Sequence, residues 1–198
     1  MKQTDYLVKR LFDLLLSTIG IILCGWIIVI AWLIASIDTK SNGFFLQTRV
    51  GQYGKLFTVI KIKTMGNEQD SNSTVTTSND LRITKFGKIF RRSKIDELPQ
   101  LVNIFLGDMS FVGPRPDVPG YADLLKGDDR IVLSLKPGIT GPATLKYRDE
   151  EALLASKKNP EKYNHEVIYP DKVKINKKYI INYSLLNDVH YIFKTIFH

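Results

Sequence analysis

The chain has 198 residues, with 28 Lys and Arg against 20 Asp and Glu and a net charge of +8. That length fits one domain with a sizeable core plus a membrane element and leaves no room for a second catalytic domain. A lone cysteine, Cys24, excludes an intramolecular disulfide, the three histidines lack metal-ligand spacing, and the basic excess points to nucleic acid or an anionic lipid surface as partner.

The first element in the chain is apolar. Residues 14–37 carry no charge, and at 1.5 Å per residue a straight helix of that length reaches roughly 36 Å, enough to span a bilayer. A secretory signal has a shorter apolar stretch and a small-residue cleavage site, which Ala35-Ser36-Ile37-Asp38 does not make. Lys2, Lys9 and Arg10 precede the segment, and Lys40, Arg49, Lys55, Lys61 and Lys63 follow it. Both flanks therefore carry the positive charge normally kept on the cytoplasmic side. A re-entrant segment satisfies both flanks and a single span only one. Ser17, Thr18 and the Cys24-Gly25 pair are where such a helix could kink.

Beyond it, Phe44, Phe45, Tyr53 and Phe57 are interleaved with Arg49, Lys55 and Lys61, a pattern shared by an interfacial surface and by a strand pair with one buried face. A short β-hairpin is expected near residues 44–64. Residues 66–80 are polar, with Val75 the sole aliphatic, and read as a mobile loop able to close over a substrate.

A basic run follows, Arg82, Lys85, Lys88, Arg91, Arg92 and Lys94, and leads into adjacent carboxylates, Asp96 and Glu97, just ahead of Pro99. Proline is tolerated in a first helical turn, so the acid pair is expected at a helix start, where the dipole favours anions. Leu98, Leu101, Val102 and Phe105 recur at helical spacing and would seat that helix. The simplest role for Asp96 is an N-cap; the surrounding cations argue for more. Arg115 closes the region on a Gly-Pro-Arg-Pro corner, where a planar guanidinium held between Pro114 and Pro116 loses little entropy on gripping a phosphate. Two acids among several arginines suit phosphoryl transfer, in which a carboxylate attacks or binds Mg²⁺ while cations neutralise phosphate charge.

Residues 110–120, with three prolines, read as a rigid connection rather than helix or strand. Helices are expected from Tyr121 and over Glu150–Lys158. Near the C-terminus Leu185, Leu186, Val189, Ile192, Phe193, Ile196 and Phe197 form a helical stripe, of a kind more often core than membrane contact.

These residues resemble the bacterial sugar transferase family, the monotopic phosphoglycosyl transferases. The likeness runs through Lys9-Arg10-Leu11-Phe12-Asp13, Gln47-Thr48-Arg49-Val50-Gly51, Lys61-Ile62-Lys63-Thr64-Met65 and Asn79-Asp80-Leu81-Arg82. It continues through Asp96-Glu97-Leu98-Pro99-Gln100 and Gly107 to Pro116, then Lys136 to Ala143, and ends with Tyr183-Ser184, Asp188 and Thr195-Ile196. Two departures stand out: Gly25-Trp26 replaces the Ser-Pro that commonly bends the membrane segment, and Asn176 replaces an acid of some relatives and is left outside the site.

The resemblance implies a mainly helical α+β protein: an N-terminal re-entrant membrane helix hairpin (1–40), then a catalytic domain (41–198) with a short β-hairpin and amphipathic interfacial helices. That domain would lie on the cytoplasmic face of the bacterial inner membrane. The implied reaction transfers a sugar-1-phosphate from a UDP-sugar to undecaprenyl phosphate through an aspartyl-phosphosugar on Asp96, releasing UMP, as the first membrane step of a surface glycan such as lipopolysaccharide or capsule. Glu97 would hold Mg²⁺, and Lys61, Arg82, Arg91 and Arg115 would bind phosphates. Lys63, Asp80, Pro114 and Pro116 would support the site. Membrane lipid, and no nucleic acid, is the implied environment. The rival reading is a non-catalytic membrane-anchored protein that binds anionic lipid or nucleic acid; the acids inside the basic cluster weigh against it, because they weaken polyanion binding.

Overall fold

A computed structural model describes residues 1–66 and 82–197. Most of the polar loop expected at 66–80, and Asp80 with it, lies outside the described residues. The order is α1 (Gln3–Thr39), β1 (Phe44–Val50), β2 (Leu56–Ile62), α2 (Lys85–Ser93), α3 (Gln100–Leu106) and β3 (Ser110–Val112). Then come β4 (Gly138–Thr140), α4 (Pro142–Lys146), α5 (Glu150–Ala155), α6 (Pro160–Tyr163), α7 (Tyr169–Ile181) and α8 (Leu185–Phe197). The chain is thus mainly helical α+β, with the hairpin β1–β2 where the sequence placed it, antiparallel from Phe44 opposite Ile62 to Val50 opposite Leu56.

Three expectations are corrected. Ser110–Val112 is not a plain connection but a strand, parallel to Gly138–Thr140. Its end turns tightly: a Cβ on Gly113 would meet the Lys136 carbonyl at 2.4 Å, so only glycine allows the two backbones to approach before Pro114. The helix from Tyr121 is only a single 3-10 turn, Ala122–Leu124. The C-terminal stripe is not core either. Leu186, Phe193, Ile196 and Phe197 are exposed, whereas Asp188, a residue of the polar side, is fully buried. That inversion has an electrostatic cause: Asp188 accepts from Lys9 Nζ at 2.5 Å and from the Tyr179 hydroxyl at 2.6 Å, and the pair is placed inside because both carboxylate oxygens find donors there.

α1 is one helix of 37 residues, recorded without interruption at Gly25-Trp26, and it is long and apolar enough to cross a membrane. It packs on the rest of the chain at both ends. Near its start Lys9, Asp13 and Ser17 recur every fourth residue on one buried face. Asp13 accepts from the Ser110 hydroxyl and the Phe111 N–H, both at 3.0 Å, and so fixes the start of β3. The Arg10 guanidinium donates to the carbonyls of Ile104 (2.6 Å) and Phe105 (2.8 Å), capping the C-terminal end of α3 with positive charge. Gly20 lets α1 cross α3 closely, since a Cβ there would stand 3.2 Å from the Leu101 methyls. Toward the far end Ala31 and Ala35 pack with Ile62 and Phe90, joined by Trp32, Phe44 and Ile95. The outward side keeps Leu7, Leu15, Ile22, Leu23, Trp26 and Ile37 exposed.

The buried Lys9–Asp188 pair generates a prediction. Removing one partner leaves an uncompensated charge, typically costing about 3–5 kcal/mol, whereas replacing both with apolar groups removes the charge altogether. Thermal unfolding of the detergent-solubilised protein should show Lys9→Met far less stable than wild type and Lys9→Met/Asp188→Leu recovering much of the loss. A double variant worse than the sum of the singles would contradict this account of the lock.

Candidate active site

Asp96 and Glu97 sit in a 3-10 turn, Ile95–Glu97, that runs through Leu98 and Pro99 into α3. The dyad therefore does stand at the start of a helical segment, with Pro99 where no N–H is needed. Asp96 is not an N-cap: neither the turn nor α3 has a side-chain capping bond, and Asp96 Oδ1 is buried with no hydrogen-bond partner. Ahead of the turn, Lys94 takes a left-handed backbone conformation, φ 59°, which ends α2 and redirects the chain into the dyad.

α3 is held by a residue that sequence patterning did not single out. Asn103, 1% exposed, accepts from the Ile60 N–H at 3.1 Å and donates to the Thr58 carbonyl at 2.7 Å, so its side-chain amide pairs with the edge of β2 as a strand would. Leu101 and Ile104 are buried beside it, while Phe105, expected on the apolar face, is exposed. This docking brings β2 to the dyad: Lys61 Nζ lies 3.4 Å from Glu97 Oε1, and Arg115 reaches the same oxygen from its proline corner at 3.3 Å.

The two adjacent acids are driven apart in acidity. Burial alone would raise Glu97, but Arg115 and Lys61 override it and hold the carboxyl down at about 2. Burial, followed by the neighbouring charge of Glu97, pushes Asp96 up to about 6. The result is one permanently ionised carboxylate and one desolvated, basic carboxylate side by side.

Both acids line a cleft of about 830 Å³ that also takes in Lys61, Arg91, Arg115, Pro114 and Pro116. Six of the residues expected in the site besides Asp96 thus meet there. Arg82 and Lys63 are not among the lining residues: the Arg82 carbonyl accepts from the Gly66 N–H, and Lys63 Nζ donates to Ser41 Oγ at 2.7 Å, bracing the end of α1. The cleft adds Lys94, Arg49, Asp117 and Lys172. Arg49 donates to Gln47 Oε1 and to the Pro116 carbonyl at 3.1 Å, tying the hairpin to the proline corner, and burial lowers it to about 10. Asp117 is raised to about 6 by burial against the pull of Lys172 and Arg49. Arg49 and Asp117 were visible as a charge two residues after Gln47 and an acid directly after Pro116; Lys172, far along the chain, carried no local signal.

An ionised acid thus stands next to a desolvated one, walled by guanidinium and ammonium groups, in a chain whose first helix is long and apolar enough to cross a membrane. The model of the bacterial sugar transferase family matches residues 4–198. EpsL of Bacillus subtilis, described as an uncharacterized sugar transferase, is 41% identical over 72% of this chain and 70% of its own length. The UDP-glucose:undecaprenyl-phosphate glucose-1-phosphate transferase of Escherichia coli is 33% identical over 100% of this chain and 41% of its own. The undecaprenyl-phosphate galactose phosphotransferase of Salmonella typhimurium is 30% identical over 98% of this chain and 40% of its own. The chain belongs to the bacterial sugar transferase family, and it spans about two fifths of the length of the last two relatives.

The raised pKa of Asp96 predicts a pH-dependent stability. An acid at 3.8 when unfolded and about 6 when folded binds its proton more tightly in the folded state, so stability falls as pH rises through that window. At full ionisation the penalty is roughly 3 kcal/mol. Asp96→Asn should therefore melt above wild type at pH 8, with the gap closing by pH 4. A variant less stable than wild type at pH 8 would show that Asp96 supports the fold instead of straining it.

Proposed function

We propose that the protein transfers a sugar-1-phosphate from a UDP-sugar to undecaprenyl phosphate, with Asp96 as nucleophile. The observation that carries this reading is the unpartnered, desolvated Asp96 oxygen facing a cleft walled by Arg91, Lys94, Lys61 and Arg115. An Asp96 oxygen attacks the phosphorus attached to the sugar, the bond to the bridging oxygen breaks, and UMP leaves with that electron pair. A phosphate oxygen of the lipid then attacks the aspartyl phosphorus and frees the carboxylate. Two half-reactions at one carboxylate let a soluble donor and a membrane-bound acceptor use the site in turn. Arg115 and Arg91 neutralise the phosphates, and Glu97, ionised by its two cations, keeps Asp96 basic.

The residues fit Mg²⁺, which takes one or two carboxylates together with substrate phosphates: Glu97 is an ionised hard donor lining the cleft, and it would hold the ion. When bound there, the ion would supply charge stabilisation on the phosphates. The relatives' names support the donor and acceptor classes, and glycan assembly as the setting.

The exposed apolar residues of α1, with Phe86 and Ile89 of α2 and Leu186, Phe193 and Phe197 of α8, fit a lipid surface better than water. We place α1 as a re-entrant element with both ends on the cytoplasmic face of the inner membrane. In support, Lys9, Arg10 and Asp13 at one end and Ala31 and Ala35 at the other all pack on the same domain.

Asp96→Asn should abolish UMP release from UDP-sugar, Mg²⁺ and undecaprenyl phosphate while remaining folded in the membrane; near-normal release would remove Asp96 from the chemistry. Wild-type turnover should fall as pH drops through about 6, where Asp96 takes up its proton. Arg115→Lys keeps the charge but loses the fork, and most activity should go with it, whereas Lys88→Ala, at an exposed position, should be nearly silent.

For topology, Thr4→Cys and Lys40→Cys in a Cys24→Ser background should both be labelled from the cytoplasm and neither from outside intact cells. External labelling at position 4 would leave a straight span as the arrangement.

A further inference from the structure

Four side-chain polar atoms of residues lining the cleft are buried without a hydrogen-bond partner: Asp96 Oδ1, Arg91 Nη1, Thr144 Oγ1 and Asn176 Oδ1. An unmet buried polar atom costs about 1–3 kcal/mol, so a wall that retains four of them is shaped for a ligand that supplies the partners. Asp96 and Arg91 belong to the reacting end. Thr144 and Asn176 do not: they lie on α4 and α7, helices that pack together, and Asn176 is only 6% exposed.

Their chemistry differs from that of the phosphate end. Both are neutral, and the aliphatic side chains of Ile139, Ala143, Val173 and Ile196 line the same cleft. An amide oxygen repels a phosphate oxygen, and neither group can neutralise its charge. A hydroxyl and an amide oxygen on two packed helices of one cleft suit a neutral group that offers both a donor and an acceptor. Two parts of a UDP-sugar do so, the hydroxyl or acylamino groups of the sugar and the imide of the base. Tyr169 lies two turns before Asn176 on α7, with Lys172 between them, and Tyr121 packs edge-on against Tyr169 at 5.1 Å between ring centroids. Ring surfaces and a cation suit the nucleoside phosphate, which leaves the neutral pair to the sugar.

Resting on the transferase reading above, we propose that Asn176 and Thr144 form the subsite that reads the sugar, hydrogen-bonding a hydroxyl or acylamino group of the donor's glycosyl unit. Each such bond is worth a few-fold in affinity, about 3- to 10-fold, and more discrimination than that follows when the wrong sugar leaves the pair unmet.

The test is equilibrium binding to the full chain in lipid nanodiscs with Mg²⁺, comparing wild type with Asn176→Leu and the milder Thr144→Val. The probes are UDP-glucose, UDP-galactose, UDP-N-acetylglucosamine, UDP-N-acetylgalactosamine and UMP, with melting temperature measured in parallel. Wild type should prefer one donor. Each variant should weaken that donor about 3- to 10-fold, flatten the ranking among the four, leave UMP binding unchanged, and melt no lower than wild type. Equal weakening of UMP and of every donor would put the pair on the base and overturn the proposal, as would a ranking that does not move in Thr144→Val. Wild type that binds UMP but no UDP-sugar would overturn the transferase reading itself, and this subsite with it.

Discussion

The structure depends on one carboxylate being kept ionised by two cations so that its neighbour is left as the more basic of the two. Glu97 holds its charge in a buried position because Lys61 and Arg115 both reach Oε1. Asp96, next in the chain, gets no hydrogen bond to one of its oxygens and is left basic by burial and by the charge of Glu97. Every element around the dyad serves that difference. β2 delivers Lys61, the glycine-proline corner delivers Arg115, and Asn103 fastens α3 to β2 so that the distances hold. The arrangement costs stability at neutral pH, as expected where a site is built for chemistry rather than for the fold.

The same logic links α1 to the site. Arg10 caps α3, Asp13 pins the first residues of β3, and Ala31 and Ala35 pack beneath Ile62, next in the chain to Lys61. α1 is therefore part of the framework that sets the dyad. Its outward side is apolar, and that apolar surface is fixed relative to the cleft through a few buried contacts.

Much of the site was legible because its chemistry is local: Asp96-Glu97 ahead of Pro99, and Arg115 between prolines, are short patterns in which each residue type has its own reason. The hairpin was legible from its alternation. What failed were judgements about faces. The C-terminal stripe reads as core by periodicity, yet Asp188 goes inside, because its partners Lys9 and Tyr179 come from distant sequence and no local pattern encodes them. Ser110–Val112 reads as a connection because its strand partner lies beyond four prolines. Asn103 looks like an ordinary polar position in a helix, and Asn176 stands out only as a departure left outside the site; one proves to be a strand surrogate and the other an unmet group lining the cleft, distinctions that only tertiary contacts create.

The most direct test of the account is the intact mass of the protein after incubation with a UDP-sugar and Mg²⁺ and without lipid acceptor, followed by acid quench and peptide mapping. The account predicts a fraction of the protein heavier by one sugar phosphate, the added mass on the peptide containing Asp96, its loss on adding undecaprenyl phosphate, and none in Asp96→Asn. Transfer to lipid that proceeds at full rate in Asp96→Asn, or an adduct on any other residue, would contradict it.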